Sequence, residues 1–149
     1  MIKHSDQRVG VFVDVQNMYY SAKNIYNSKV NFGEILKTAV AGRKLIRAIA
    51  YVIKADSPEE QSFFDALSNQ GFEIKMKDLQ IFFGGAKKGD WDVGVAVDAI
   101  RLADKFDVIV IVSGDGDFVP LVEYLKFIGQ QVEVVAFGKS AASKLIEAS

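Results

Sequence analysis

The sequence predicts an α/β fold in which a mainly parallel sheet is sandwiched between helical layers, and three observations carry that expectation. Strand-like and helix-like segments alternate along the chain with short connections. The strand-like segments VGVFVDV and DVIVIVS are almost continuous runs of branched apolar residues, which suits strands covered on both faces. The composition is half hydrophobic, a quarter charged and 11% aromatic, with only two prolines among 149 residues, the profile of a chain that buries a core without staples. No repeat or low-complexity tract interrupts it, and one domain over residues 1–149 is expected.

Taken in order, VGVFVDV (9–15) reads as a first buried strand. NMYYSAKNIYN (17–27) follows as a helix, with Tyr19, Ala22, Ile25 and Tyr26 at helical spacing. Asn31 with Glu34 three residues on marks the cap of a second helix, which puts Phe32, Ile35, Leu36 and Ala39 on one side. KLIRAIAYVI (44–53) is a second strand, with Arg43, Lys44 and Arg47 expected as a surface patch at its entry. The next helix is punctuated by Ser57 as N-cap, Pro58 at the first helical position, Glu60 completing a capping box and Gly71 after the end. Its core face is Phe63, Phe64 and Leu67. FEIKMKDLQIFF (72–83) begins as a strand and becomes irregular, and GGAKKGD (84–90) is an exposed loop. A helix from about Trp91 to Lys105, a strand over 107–113, a helix from about Phe118 to Ile128 ended by Gly129, a strand over 131–137 and a short helix through SAASKLIEA complete the series.

What is missing narrows the chemistry. There is no cysteine, so thiol nucleophiles, disulfides and cysteine-ligated metals are excluded. The single histidine, His4, lies in a polar N-terminal lead and is expected to be solvated. A net charge of -1 gives no global attraction for nucleic acid, so such a partner needs a local basic patch. The start lacks an apolar signal core, and no apolar run approaches the roughly 20 residues of a spanning helix. The expectation is a cytoplasmic protein with no membrane association.

The acids supply the chemistry. In an open parallel sheet every strand ends at the same edge, and sites form beyond that edge where the strand order reverses. Asp14 lies near the end of the first strand, and Asp115 and Asp117 lie just beyond the strand of Val108 to Val112. These two strands are expected to be neighbours at the reversal. Asp92, in the first turn of the helix entered from the same edge, is the fourth acid expected there. Asp98, 98 − 92 = 6 residues later, is rotated by roughly 120° and lies about 9 Å further along the axis. It is therefore expected to support a ligand or to pair with a basic residue.

Each of these residues also has a plainer reading. Asp117 is either a helix cap or a ligand, Asp115 a turn residue or a ligand, and Asn17 a helix cap or part of the site. Asp14 stands apart, because an unpaired carboxylate inside an apolar strand would be costly to bury. Acids crowded together repel one another unless a cation neutralises them. An all-oxygen set suits Mg²⁺ or Mn²⁺ better than zinc. Such an ion lowers the pKa of water and steadies the charge of phosphodiester hydrolysis.

Three separated blocks, VGVFVDVQNMYY, KKGDWDVGVAVDAI and VIVIVSGDGDFVPLVEYLKFIG with VEVVAFG after it, together resemble the NYN domain. More narrowly they resemble its LabA-like (DUF88) group, within the PIN-like nuclease superfamily. The resemblance implies a Rossmann-like three-layer α/β/α sandwich, an acidic Mg²⁺- or Mn²⁺-dependent site and RNA cleavage. It matches Asp14 to the first-strand aspartate, Asn17 to its accompanying asparagine, Asp92 to the acid after the Lys-Gly loop and Asp98 to the later helical aspartate. Ser113, Asp115 and Asp117 match the small-hydroxyl and paired-acid segment.

A single strand of RNA needs cations and stacking surfaces beside the acids. Lys87, Lys88 and Trp91 on the loop entering the acidic helix, with Lys54 at the end of the second strand, are the candidates. The plainer reading is a solvated loop whose tryptophan tucks against the core. A receiver domain is disfavoured because its acid pair and third-strand acceptor are absent, and a Toprim-like module because it expects Glu where Asp14 stands. The alternative function is a non-catalytic module that keeps the acidic pocket and binds RNA or a protein partner. The sequence leaves the oligomeric state open, a homodimer included.

Overall fold

The computed structural model describes residues 3–25, 29–81, 87–88 and 90–137. Five parallel strands form the sheet: β1 (Arg8–Asp14), β2 (Lys44–Lys54), β3 (Glu73–Asp78), β6 (Val108–Val112) and β7 (Gln131–Val135), in the order β3-β2-β1-β6-β7. The chain walks outward from β1 through β2 to β3, then returns to the other flank of β1 for β6 and β7. The order therefore reverses between β1 and β6, which pair from Val9 with Val108 to Val13 with Val112. Two further short strands, β4 (Gln80–Ile81) and β5 (Lys87–Lys88), form a separate antiparallel ribbon.

Alternation along β1 and β6 divides the core into two layers. Val9, Val11, Val13, Val108, Val110 and Val112 face one way and pack with the helices α1 (Val15–Ile25), α2 (Phe32–Val40) and α3 (Glu60–Asn69). Phe12, Ile109 and Ile111 face the other way, toward α4 (Asp92–Leu102) and α5 (Val119–Phe127). This is the three-layer sandwich that the unbroken apolar strands predicted, because strands covered on both faces cannot carry a polar face.

Local details follow the predicted punctuation in part. The Asn31 side chain accepts the Glu34 N–H at 3.1 Å and caps α2. α5 is stopped by Gly129 just after its C-cap Ile128, with a φ of +91° in the left-handed region that favours glycine at such a stop. At α3 only half of the capping box forms. Glu60 accepts the Ser57 N–H, while the Ser57 hydroxyl donates to Glu59 at 2.7 Å and accepts no helix N–H. The helix begins at Glu60, and Pro58 lies in the preceding turn.

Three further expectations are corrected. On α1 the buried apolar positions are Val15, Met18 and Ala22, so the apolar stripe is set one residue away from Tyr19, which is 45% exposed. Arg43 is buried, not a surface residue, with both terminal guanidinium nitrogens 2.8 Å from the Glu133 carboxylate and another bond to the Ala39 carbonyl. Lys87 and Lys88 are in β5 rather than loop, Lys88 opposite Gln80 and Lys87 opposite Ile81. The short helix expected over SAASKLIEA falls outside the described residues.

Candidate metal centre

The centre is assembled at the C-terminal edge of the sheet, on both sides of the strand reversal. β1 delivers Asp14 as its last residue, and the segment after β6 delivers Ser113 and Asp115. From the second layer, the first turn of α4 brings Asp92. One carboxylate oxygen from each of Asp14, Asp92 and Asp115 lies within 4.8 Å of the others.

Hydrogen bonds hold two of these acids in place. The Ser113 hydroxyl donates to Asp14 Oδ2 at 3.2 Å, and the Asn17 N–H donates to Asp14 Oδ1 at 3.2 Å. Asn17 then accepts the Gly114 N–H at 2.9 Å through its side-chain oxygen, tying the start of α1 to the loop after β6. Ser113 Oγ also accepts the Asp115 N–H, and Asp115 Oδ1 accepts the Asp117 N–H at 2.9 Å. Asp115 is thus both the cap of the helical turn Gly116–Phe118 and a member of the acid group. The turn and ligand readings are compatible, since Asp115 caps through Oδ1 and also belongs to the acid group.

The electrostatics are those of a site short of positive charge. Burial raises the pKa of Asp14; the Asn17 and Ser113 hydrogen bonds offset part of this, and Asp115 and Asp90 add to it. Asp92 is pushed up to about 7, first by burial and then by the charges of Asp115, Asp14, Asp90 and Asp117. Carboxylates with raised pKa values and oxygens this close form a pocket that a divalent cation would relieve. The donor set is all oxygen, so it fits a hard cation.

The remaining predicted residues sort by distance from this group. Asp117 is exposed and lies outside the three-carboxylate group, although its charge reaches Asp92. Asp98 points elsewhere, accepting the Tyr51 hydroxyl at 2.7 Å and Lys75 Nζ at 2.6 Å, with Arg101 at 3.7 Å. Burial would raise its pKa, but those partners outweigh burial and the net shift is downward. Trp91 is half-buried, its indole N–H donating to the Val52 carbonyl at 2.8 Å and its ring edge-on to Tyr51 at 5.2 Å. Lys77 Nζ lies 4.8 Å over the Trp91 ring. A Cβ at Gly94 would collide with that ring, so glycine there lets the indole fold back beside α4. Lys54 is exposed at the end of β2, 3.7 Å from Asp56. Asp90 is an acid that the motif spacing did not single out, although GDWD places it two residues before Asp92. It accepts the Asp92 N–H and adds to the negative potential at both Asp14 and Asp92.

The strand reversal and the three aspartates beyond its edge agree with the NYN domain, which belongs to the PIN-like superfamily. Residues 8–149 match the NYN domain, and the chain belongs to that family. It is 26% identical over 157 residues to the low amplitude and bright protein LabA of Synechococcus elongatus, covering 95% of this chain and 80% of LabA. It is 29% identical over 140 residues to the uncharacterized protein MJ0482 of Methanocaldococcus jannaschii, covering 89% of this chain and 49% of that one. Among solved structures, a protein of unknown function, VPA0982, from Vibrio parahaemolyticus superposes with a TM-score of 0.89 at 33% identity, covering 100% of this chain and 93% of that one. The T5 D15 protein, co-crystallized with metal ions, shares the fold at a TM-score of 0.55 and 15% identity, over 89% of this chain and 56% of that one. Among the described residues no helix is long and apolar enough to cross a membrane.

Proposed function

We propose that this chain is a ribonuclease that hydrolyses RNA phosphodiester bonds at the Asp14, Asp92 and Asp115 centre with Mg²⁺ or Mn²⁺. The observation that carries the reading is the convergence of these three acids, from remote parts of the sequence, within 4.8 Å. Those residues would hold the ion. When bound, the ion supplies Lewis acidity, lowering the pKa of water and stabilising negative charge on phosphoryl oxygens.

The chain's own residues prepare the site for that role. Ser113 and the Asn17 N–H fix the rotamer of Asp14, so its carboxylate enters the pocket already oriented. Asn17 and Ser113 also hold the loop that carries Asp115. The exposed acids Asp90 and Asp117 border the centre and add to its negative charge, which favours a cation there. For the substrate, Lys87 and Lys88 on the ribbon preceding α4 and Lys54 at the end of β2 support attraction of a phosphate backbone. Trp91 supports it differently, as the packed anchor of the α4 first turn that delivers Asp92, with Lys77 beside its ring.

The test is incubation of the purified protein with single-stranded RNA and Mn²⁺. Native protein is expected to cleave, and Asp14→Asn or Asp115→Asn to remain folded without cleaving. Full activity in either variant rejects the roles of these two acids. RNA retention without cleavage in any divalent metal supports instead a binding module that keeps the acidic pocket.

A further inference from the structure

A cleft of about 610 Å³ opens between α1 and α3, beyond the end of β2. Its floor includes Val15 and Val52, and its walls include Tyr19 and Tyr20 on one side and Phe63 on the other. Val15 directly follows Asp14, so the cleft borders the sheet edge that carries Asp14, on the side of α1 and α3. Its size is that of pockets that take small organic groups.

Two features select the kind of group. Tyr19 and Tyr20 are 45% and 50% exposed, with their rings 5.9 Å apart and nearly perpendicular. The core of α1 is made by Val15, Met18 and Ala22, so these rings are not needed to hold the helix down. Exposed π faces beside an apolar floor suit a planar aromatic ring. The rim carries Glu59 and Glu60, the latter held by the N–H groups of Ala55 and Ser57. Lys29 also lines the cleft, but the two carboxylates leave it net negative; this disfavours a phosphate inside, and a neutral ring belongs there with its phosphate outside.

We infer that this cleft receives an unpaired nucleobase of the strand whose phosphate lies at the acidic centre, stacked against Tyr19 and Tyr20. The ligand class rests on the nuclease reading, because the neighbouring carboxylates identify a phosphodiester as the attached group. The cleft thus makes an unstacked single strand the preferred substrate, since a paired base cannot enter it.

The experiment is a scan of single-stranded RNA oligonucleotides in which one abasic position is moved along the strand. Binding is read by fluorescence anisotropy with the Asp115→Asn protein, and cleavage separately with native protein and Mn²⁺. One abasic position is expected to weaken binding about tenfold. That penalty is expected to vanish when Tyr19→Ala and Tyr20→Ala are combined, and to persist with Tyr19→Phe and Tyr20→Phe. Both tyrosines are exposed, so circular dichroism is expected to show each variant folded. A flat scan, a penalty unchanged in the double alanine variant, or no RNA binding at all overturns the inference. Cleavage with a flat scan leaves the nuclease reading standing and removes the cleft. A tyrosine-dependent penalty without cleavage does the reverse.

Discussion

The Ser113 hydroxyl donates to Asp14 Oδ2 at 3.2 Å, joining the ends of two adjacent parallel strands that lie 99 residues apart in sequence. Ser113 is fully buried, and its oxygen also receives the Asp115 N–H. One side chain therefore sets the geometry of two of the three clustered acids. Ser113→Ala is expected to weaken Mn²⁺ affinity and RNA cleavage by about 10–100-fold. Calorimetric titration with Mn²⁺ checks this against the thermal midpoint of the metal-free protein, and an unchanged metal affinity would remove the positioning role.

Asp92 makes the centre sensitive to pH. Its carboxyl ionises near 7 in the folded chain against an ordinary value of 3.8, so folding favours its protonated form. The metal-free protein is expected to lose stability as pH rises from about 4 through about 7, with Asp14 shifted in the same direction. A divalent ion competes with that proton, so its affinity is expected to weaken as pH falls below about 7. In Asp92→Asn the metal-free protein is expected to melt higher than native at pH 8, while Mn²⁺ no longer raises its midpoint. Thermal melts across pH with and without Mn²⁺ measure both effects.

Asp98 acts as a clamp on α4. It is 6% exposed and takes the hydroxyl of Tyr51, which is fully buried. Asp98→Ala leaves that hydroxyl without its partner and is expected to cost about 1–3 kcal/mol of stability. Lys75, being part-exposed, turns to water at little cost. Asp98→Asn retains an acceptor for Tyr51 and is expected to recover most of the loss. Urea denaturation of the two variants checks the difference, and equal losses would place the energy in the charge pair instead.

Arg43 and Glu133 provide a control remote from the acids. The Arg43 side chain is 1% exposed and forms a two-pronged pair with Glu133. Glu133→Ala strands a buried guanidinium and is expected to destabilise the fold by about 3–5 kcal/mol. Mn²⁺ affinity of the still-folded fraction at low temperature is expected to stay native. A calorimetric titration that shows metal affinity falling in proportion to stability would contradict that separation.

Much of the fold was legible because strand burial dictates composition: strands covered on both faces must be apolar throughout, and β1 and β6 are. The same rule exposed Asp14 as an intruder and placed it beside the segment of Asp115. Other features were not legible, for identifiable reasons. Tyr19 and Met18 both fit a helical stripe, and only packing against the sheet chose Met18. Arg43 read as surface because its partner, Glu133, lies 90 residues away on a strand that local sequence cannot pair with it. Ser57 carried a cap signature, yet its hydroxyl was taken by Glu59, a competitor inside the same motif. The stacking role offered for Trp91 and the packing against the Val52 carbonyl use the same indole, and spacing alone does not distinguish them.

The central claim is that Asp14, Asp92 and Asp115 jointly bind one divalent cation site. Crystals grown with Mn²⁺ and measured for anomalous scattering test it most directly. Anomalous density among those three carboxylates, absent from crystals of the Asp14→Asn variant, is the predicted result. Mn²⁺ bound only elsewhere on the protein, or none at millimolar concentration, would contradict it.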